Sequence, residues 1–331
     1  MNKRITIKDI AKAIGVHHST VSRALADDPR VKPTTKLKIK AYADKHGYIP
    51  NVNALSFRDG SRNIIALIVP NVKHSFFSNI ISDITNYANN EGYIVAVFQS
   101  NENLKEEAEI VTNIIRNRFA GVIASLSMET TNMDHFSLLN NYNIPLVLFD
   151  RVISSFPVSK VVTDSTNGVQ KATQLLLDRG YPRITYLGGS NQIELYRDRR
   201  KGYTEATENL YQNYVEVKDD LSIDTGRYYL NQIMEAEVKP NAIICDSYHM
   251  AMGVYDAIKE HGWNIPKDLA LLSFGSEDSS RILTPPMSLI RQPEKKYAME
   301  AFSILLRHIK NEEESIKKVV LPLEILLRDS C

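Results

Sequence analysis

Thr6-Ile7-Lys8-Asp9-Ile10-Ala11-Lys12-Ala13-Ile14-Gly15-Val16-His17-His18-Ser19-Thr20-Val21-Ser22-Arg23-Ala24-Leu25 reads as two short amphipathic helices around a glycine turn. Ile7, Ile10, Ala11 and Ile14 recur at helical spacing on one face. Thr6 can cap the free amides of the first helix, and Asp9 three residues on makes an approximate capping box. Gly15 supplies the left-handed residue at the helix end. The second helix begins near His17. It turns Val21 and Ala24-Leu25 inward and leaves His18, Ser19, Ser22 and Arg23 outside. Ala11 is small where the two helices must approach. Pro33 opens a third helix at its first turn, where a missing amide costs little. That helix runs from Thr34 to His46, with Leu37, Ile39, Ala41, Tyr42 and Ala43 among its apolar positions, and stops at Gly47. A polar second helix after a tight turn suits the DNA major groove. The same pattern alone also suits a three-helix protein-binding module.

Charge separates these alternatives. The 331-residue chain has a formal net charge of +1, but residues 1–60 hold 12 Lys/Arg against 5 Asp/Glu, or +7, and the remainder carries −6. A basic head on a mildly acidic body implies that the head alone meets a polyanion. The length predicts two or three folding units. No apolar stretch approaches a membrane span, and the longest, such as Ile64 to Val69, suits a buried strand. Met1-Asn2-Lys3-Arg4 leads into an amphipathic helix and not an apolar one, so a cytoplasmic protein without membrane attachment is expected. Cys245 and Cys331 fit no metal spacing, and neither metal nor cofactor is expected.

From Asn63 onward apolar strands at 64–69, 93–98, 121–126, 146–149, 184–187, 242–245 and 269–274 alternate with helical stretches at about 76–90, 104–118, 165–179, 196–213, 225–236 and 247–262. Such alternation predicts parallel sheets with right-handed crossovers, and its extent predicts two lobes. Ligands of open α/β sheets bind beyond the C-terminal strand ends. Those ends carry Asn71, Phe76, Asp150, Arg151, Arg199, Ser247, Tyr248, Phe274 and Gly275. Aromatic faces beside Asp, Arg and small polar groups suit a polyhydroxylated ligand. A dehydrogenase would need a glycine-rich loop after the first strand. That loop reads Asn71-Val72-Lys73-His74-Ser75, and no nucleophile constellation or phosphate loop occurs elsewhere, so no enzyme is expected.

Thr6-Ile7-Lys8-Asp9-Ile10-Ala11, Gly15-Val16, Thr20-Val21-Ser22-Arg23 and Gly47-Tyr48-Ile49-Pro50-Asn51 together resemble the lactose/galactose-repressor (LacI/GalR) family of bacterial transcription regulators, and the likeness continues to the C-terminus. The resemblance implies an all-α helix-turn-helix head over residues 1–50, a hinge helix and linker over 51–61, and an α/β periplasmic-binding-protein-like type I two-lobed body over 62–331. Lobe one would hold about 62–161 plus 292–320, and lobe two about 162–290 plus 321–331. It implies base reading by His18, Ser19 and Arg23, and backbone contacts by Thr6, His17, Thr20, Ser22, Thr35, Tyr48 and Asn51. The hinge would enter the minor groove at Ala54 and Phe57, where Phe57 replaces the usual leucine wedge and Leu55 a usual basic residue. Phe76, Asp150, Arg199, Ser247 and Gly275 match effector-cleft positions. Two of them depart: Ser247-Tyr248 replaces a usual Asn-Asp pair, and Gly275 a usual Asp. A simple sugar, a larger glycan, a phosphorylated sugar held by Arg197 and Arg199, and a non-sugar metabolite all stay open.

The implied partners are a pseudo-palindromic operator, a small effector, most simply a carbohydrate, and a second copy of the chain. The mechanism would be repression under effector control. Two alternatives are the same regulator under control of a protein partner, and a sugar-binding protein without a regulatory role.

Overall fold

The computed structural model describes residues 5–48, 63–218, 220–275, 280–313 and 315–331. Asn51, Ala54 and Phe57, with the expected hinge, lie outside them. The chain divides into Met1–Arg62 and Asn63–Cys331.

The first unit packs α1 (Ile7–Ile14), α2 (His18–Leu25) and α3 (Pro33–Lys45). Thr6 and Asp9 close a reciprocal capping box, and Gly15 sits at φ 75° with its amide on the Ala11 carbonyl. Ile10, Ala11, Val21, Ala24, Val31, Ile39 and Ala43 are buried together. Leu37, expected among the apolar positions of α3, is instead 69% exposed. Ile39 and Ala43, four apart, set the inward face of α3, and a residue two before Ile39 is rotated about 200° from it.

The second unit is two six-stranded sheets wound the same way. The first runs β11-β5-β4-β3-β1-β2 and the second β12-β10-β9-β8-β6-β7. Lobe one's strands are β1 (Ile64–Val69), β2 (Ile94–Gln99), β3 (Gly121–Ala124), β4 (Leu146–Phe149), β5 (Ser159–Thr163) and β11 (Lys318–Leu321). Lobe two's are β6 (Arg183–Gly188), β7 (Tyr211–Glu216), β8 (Ala242–Cys245), β9 (Ala270–Phe274), β10 (Ser288–Arg291) and β12 (Glu324–Leu326). The ladders are parallel except β10 with β12. Parallel strands covered on both faces need continuous apolar runs, and Ile65 to Val69 or Ala242 to Cys245 supply them fully buried.

The chain passes between lobes three times: after Thr163, around Gln292, and between Leu321 and Glu324. The helix Glu294–Ile309 returns to lobe one, where Tyr297, Phe302 and Leu305 pack with Ile65 and Phe149. Each sheet has its first-formed strand flanked by the next two, so both crevices open at strand C-termini on the side where the lobes face.

One helix of the sequence reading is shortened. The stretch 196–213 forms a helix only over Glu194–Ala206, and Tyr211–Glu216 is the edge strand β7. Asn209 at φ 64° turns the chain between them. The strand β11 has no counterpart among the expected strands. Its alternation of Lys318 and Val320 exposed with Val319 half-buried is that of an edge, too polar to stand out as an apolar run.

Candidate DNA-reading head and effector cleft

In the head, α2 buries Val21 and Ala24 and leaves His18 and Arg23 exposed, with Ser19, Thr20 and Ser22 half-buried. His17 is the N-cap. Its Nδ1 accepts the Ser19 amide at 3.4 Å and lies 2.8 Å from the Ser19 hydroxyl. An Nδ1 that accepts a backbone amide leaves Nε2 as the protonated, outward donor. The His17 and His18 rings lie 4.0 Å apart. Thr6 commits its hydroxyl to Asp9 at 2.6 Å. Thr35 lies in the first turn of α3 and Tyr48 follows its end, both half-buried.

In the body, a cavity of about 410 Å³ lies between the lobes at the strand ends. Phe76, Asp150, Arg199, Ser247 and Gly275 all line it, so the five expected cleft residues converge. Asp150 follows β4 in the left-handed region, φ 58°, a conformation Asp tolerates better than most residues. Its carboxylate accepts the Gln292 amide at 2.9 Å. Burial raises its pKa despite Arg199 and Arg151 nearby. A carboxyl held toward its neutral form can donate as well as accept.

Arg199 projects from the helix Glu194–Ala206 and is 2% exposed. Its Nη1 meets the Asp246 carboxylate at 3.0 Å, and its guanidinium carbon lies 3.5 Å from the centroid of Phe274. Burial opposes its charge, and Asp246, Tyr186 and Tyr196 outweigh burial, leaving its pKa raised. Arg151 is held the same way, with Tyr196, Glu102 and Asp150 outweighing burial. It bonds Glu102 at 2.6 Å and reaches across the lobes to the Tyr196 hydroxyl at 3.1 Å. Ser247 lines the cleft, but its hydroxyl donates to the Leu221 carbonyl at 3.0 Å. Arg197 and Arg200 are exposed: Arg197 donates to the backbone carbonyls of Asn191 and Gln192, and Arg200 lies over Tyr214.

Sequence reasoning missed Gln292, Tyr196, His74 and His249, all on the cavity wall. Tyr196 was within reach, since it precedes Arg199 by three residues and shares its helix face. Gln292 depends on where the chain recrosses. His74 and His249 come from different lobes, and only the folded chain brings them to 4.7 Å. Among the described residues no His/Cys/Asp/Glu cluster could hold a metal ion.

Residues 6–51 match the model described as bacterial regulatory proteins, lacI family, and residues 173–331 match the periplasmic binding protein-like domain. The chain belongs to the LacI family of bacterial regulatory proteins. This LacI-family chain is 29% identical to the probable HTH-type transcriptional repressor ExuR of Bacillus subtilis (strain 168), over 98% of both chains. Its fold is that of the lac repressor dimer bound to operator and the anti-inducer ONPF, with TM-score 0.87, 21% identity and 99% of each chain covered. It also follows the transcriptional regulator CelR in its cellobiose complex, with TM-score 0.73 and 22% identity over 99% of this chain and 100% of that one. LacI-family membership makes the chain a transcriptional regulator and not an enzyme. No described helix is long and apolar enough to cross a membrane.

Proposed function

We propose that the chain is a cytoplasmic repressor that binds a pseudo-palindromic operator as a homodimer and releases or tightens its grip when a carbohydrate occupies the interlobe cleft. The observation that carries the reading is α2. One face is locked into the head's core by Val21 and Ala24, and the other offers His18, Ser19 and Arg23 within a segment of charge +7. In this reading Arg23 takes guanine O6 and N7 in the major groove. Thr6, His17, Thr20, Ser22, Thr35, Tyr48 and Asn51 contact phosphates, and Ala54 and Phe57 enter the minor groove. A two-fold dimer matches half-sites about one helical turn apart.

Phe76, Asp150, Arg199, Ser247 and Gly275 form the effector site. Support for a carbohydrate comes from the aromatic walls beside Asp150 and Gln292, and from the cellobiose held by the CelR relative. The effector acts by binding one lobe arrangement better than the other, and operator affinity shifts by that difference. An operator-selection titration with the purified protein, repeated with a carbohydrate panel, tests both halves. Binding no duplex above bulk DNA defeats the regulator reading. Specific binding that no carbohydrate alters defeats the effector reading.

A further inference from the structure

Gly275 and Tyr248 share one space at the end of β9. A Cβ built on Gly275 would lie 2.7 Å from Tyr248 Cδ2 and 3.2 Å from Tyr248 Cβ. A side chain at 275 and the Tyr248 ring therefore compete for one space. The glycine at the end of β9 is the seat of the ring that begins the helix Tyr248–Glu260.

The other polar groups at the ends of β8 and β9 are already used. Asp246 accepts from Tyr186 at 2.6 Å, from Arg199 at 3.0 Å and from the Gly189 amide at 2.9 Å. Ser247 and Ser273 donate to backbone carbonyls. Among the described residues, the carboxylate at these two strand ends, that of Asp246, is already bonded within the protein. Lobe two lines the cavity with the half-buried Tyr248, with Tyr196 and the apolar Leu221, and, past β7, with Asp220 and Asp224. Lobe one answers with Phe76 and with the polar edge of Asp150 and Arg151.

We propose that Tyr248, seated on Gly275, is the specificity-determining residue of the cleft, and that it selects a two-ring pyranoside, a β-linked disaccharide or an aryl glycoside, laid face-on against its ring. This rests on the carbohydrate reading above. An aromatic platform gains from flat C–H or π faces and gains nothing from an acyclic polyol with the same hydroxyl count. The cavity's 410 Å³ lies within the range of drug-sized ligand sites and leaves room for a second ring.

The test is calorimetric titration of the full-length protein with cellobiose, phenyl β-D-glucopyranoside and sorbitol. The native protein binds at least one two-ring probe and leaves sorbitol unbound. Tyr248→Phe keeps that affinity within about threefold, while Tyr248→Leu, which keeps bulk over Gly275 but removes the ring, loses about tenfold. Gly275→Ala leaves the ring's chemistry intact but unseats it, and weakens the same probe. Equal binding of sorbitol, or full affinity in Tyr248→Leu, overturns this proposal and leaves the carbohydrate reading standing. A native protein that binds none of the three overturns this proposal; if a wider carbohydrate panel also fails to bind, the carbohydrate reading falls with it.

Discussion

His74 of lobe one and His249 of lobe two meet edge to face across the cleft, ring centroids 4.7 Å apart. Burial, followed by the charges of His249 and Arg151, lowers the His74 pKa from 6.5 to about 4, while Glu102 and Asp220 pull the other way. Burial lowers His249 as well. Two imidazoles this close tolerate each other only as neutral rings.

The apposed lobes should therefore loosen in acid. A histidine with a depressed pKa costs the closed arrangement nothing above 6.5, and the cost grows as pH falls from there toward about 4. Small-angle scattering of the protein between pH 7.5 and 5 should show expansion, with cleft affinity falling in parallel. His74→Gln should flatten both responses relative to the native protein. An unchanged pH response in His74→Gln would assign the effect to other groups.

Asp246 anchors the cleft floor, and its removal should be costly. Arg199 and Asp246 are a pair with side chains 3% and 0% exposed, and Asp246 also receives Tyr186 and the Gly189 amide. Asp246→Ala leaves a buried guanidinium uncompensated, at about 3–5 kcal/mol of body stability. Urea unfolding followed by circular dichroism reads this directly. A loss below about 1 kcal/mol would mean that water reaches the guanidinium and replaces the carboxylate.

Arg23 should carry sequence preference more than affinity. The side chain is exposed on the outer face of α2. Arg23→Ala should cost about 1–3 kcal/mol on the preferred operator and flatten preference at one base step. Thr35→Ala, away from that face, should weaken all sequences alike. If Arg23→Ala changes only the salt dependence, it contacts phosphate and the base-reading assignment is wrong.

What could be read from residue order follows from what is local. The capping box of Thr6 and Asp9, the left-handed Gly15 and the inward Val21 are set by neighbours within a few positions, and all stand as expected. The apolar runs of β1, β8 and β9 announce strands buried on both faces. Edge strand β7 is only half-buried and β11 packs on one face, so Tyr211–Glu216 reads as a continuation of the preceding helix and Lys318–Leu321 as no element at all. At the cleft, Arg199 stands in the run Arg199-Arg200-Lys201-Gly202-Tyr203 on one helix, and its place is set locally. Gln292, His74 and His249 enter the wall through lobe crossing and lobe apposition, which no spacing encodes. Gly275 and Tyr248 were visible singly, 27 positions apart, and their reciprocity appears only where β9 ends against the next helix start.

His17 should prove to be a structural residue of the head as well as a candidate phosphate contact. It caps α2 through Nδ1, which takes the Ser19 amide and lies 2.8 Å from the Ser19 hydroxyl. A helix of eight residues depends on its cap, since few internal bonds hold it. His17→Ala should cost about 0.5–2 kcal/mol of head stability, and His17→Asn, a good capping residue, should recover most of it. Thermal unfolding of the full-length protein should show this in the transition of the head. Operator affinity separates the two roles. His17→Asn restores the cap but lacks the outward Nε2 donor, so it should regain stability while binding stays weak at every sequence. Recovery of binding along with stability would remove His17 from the phosphate contacts and leave it as a cap alone.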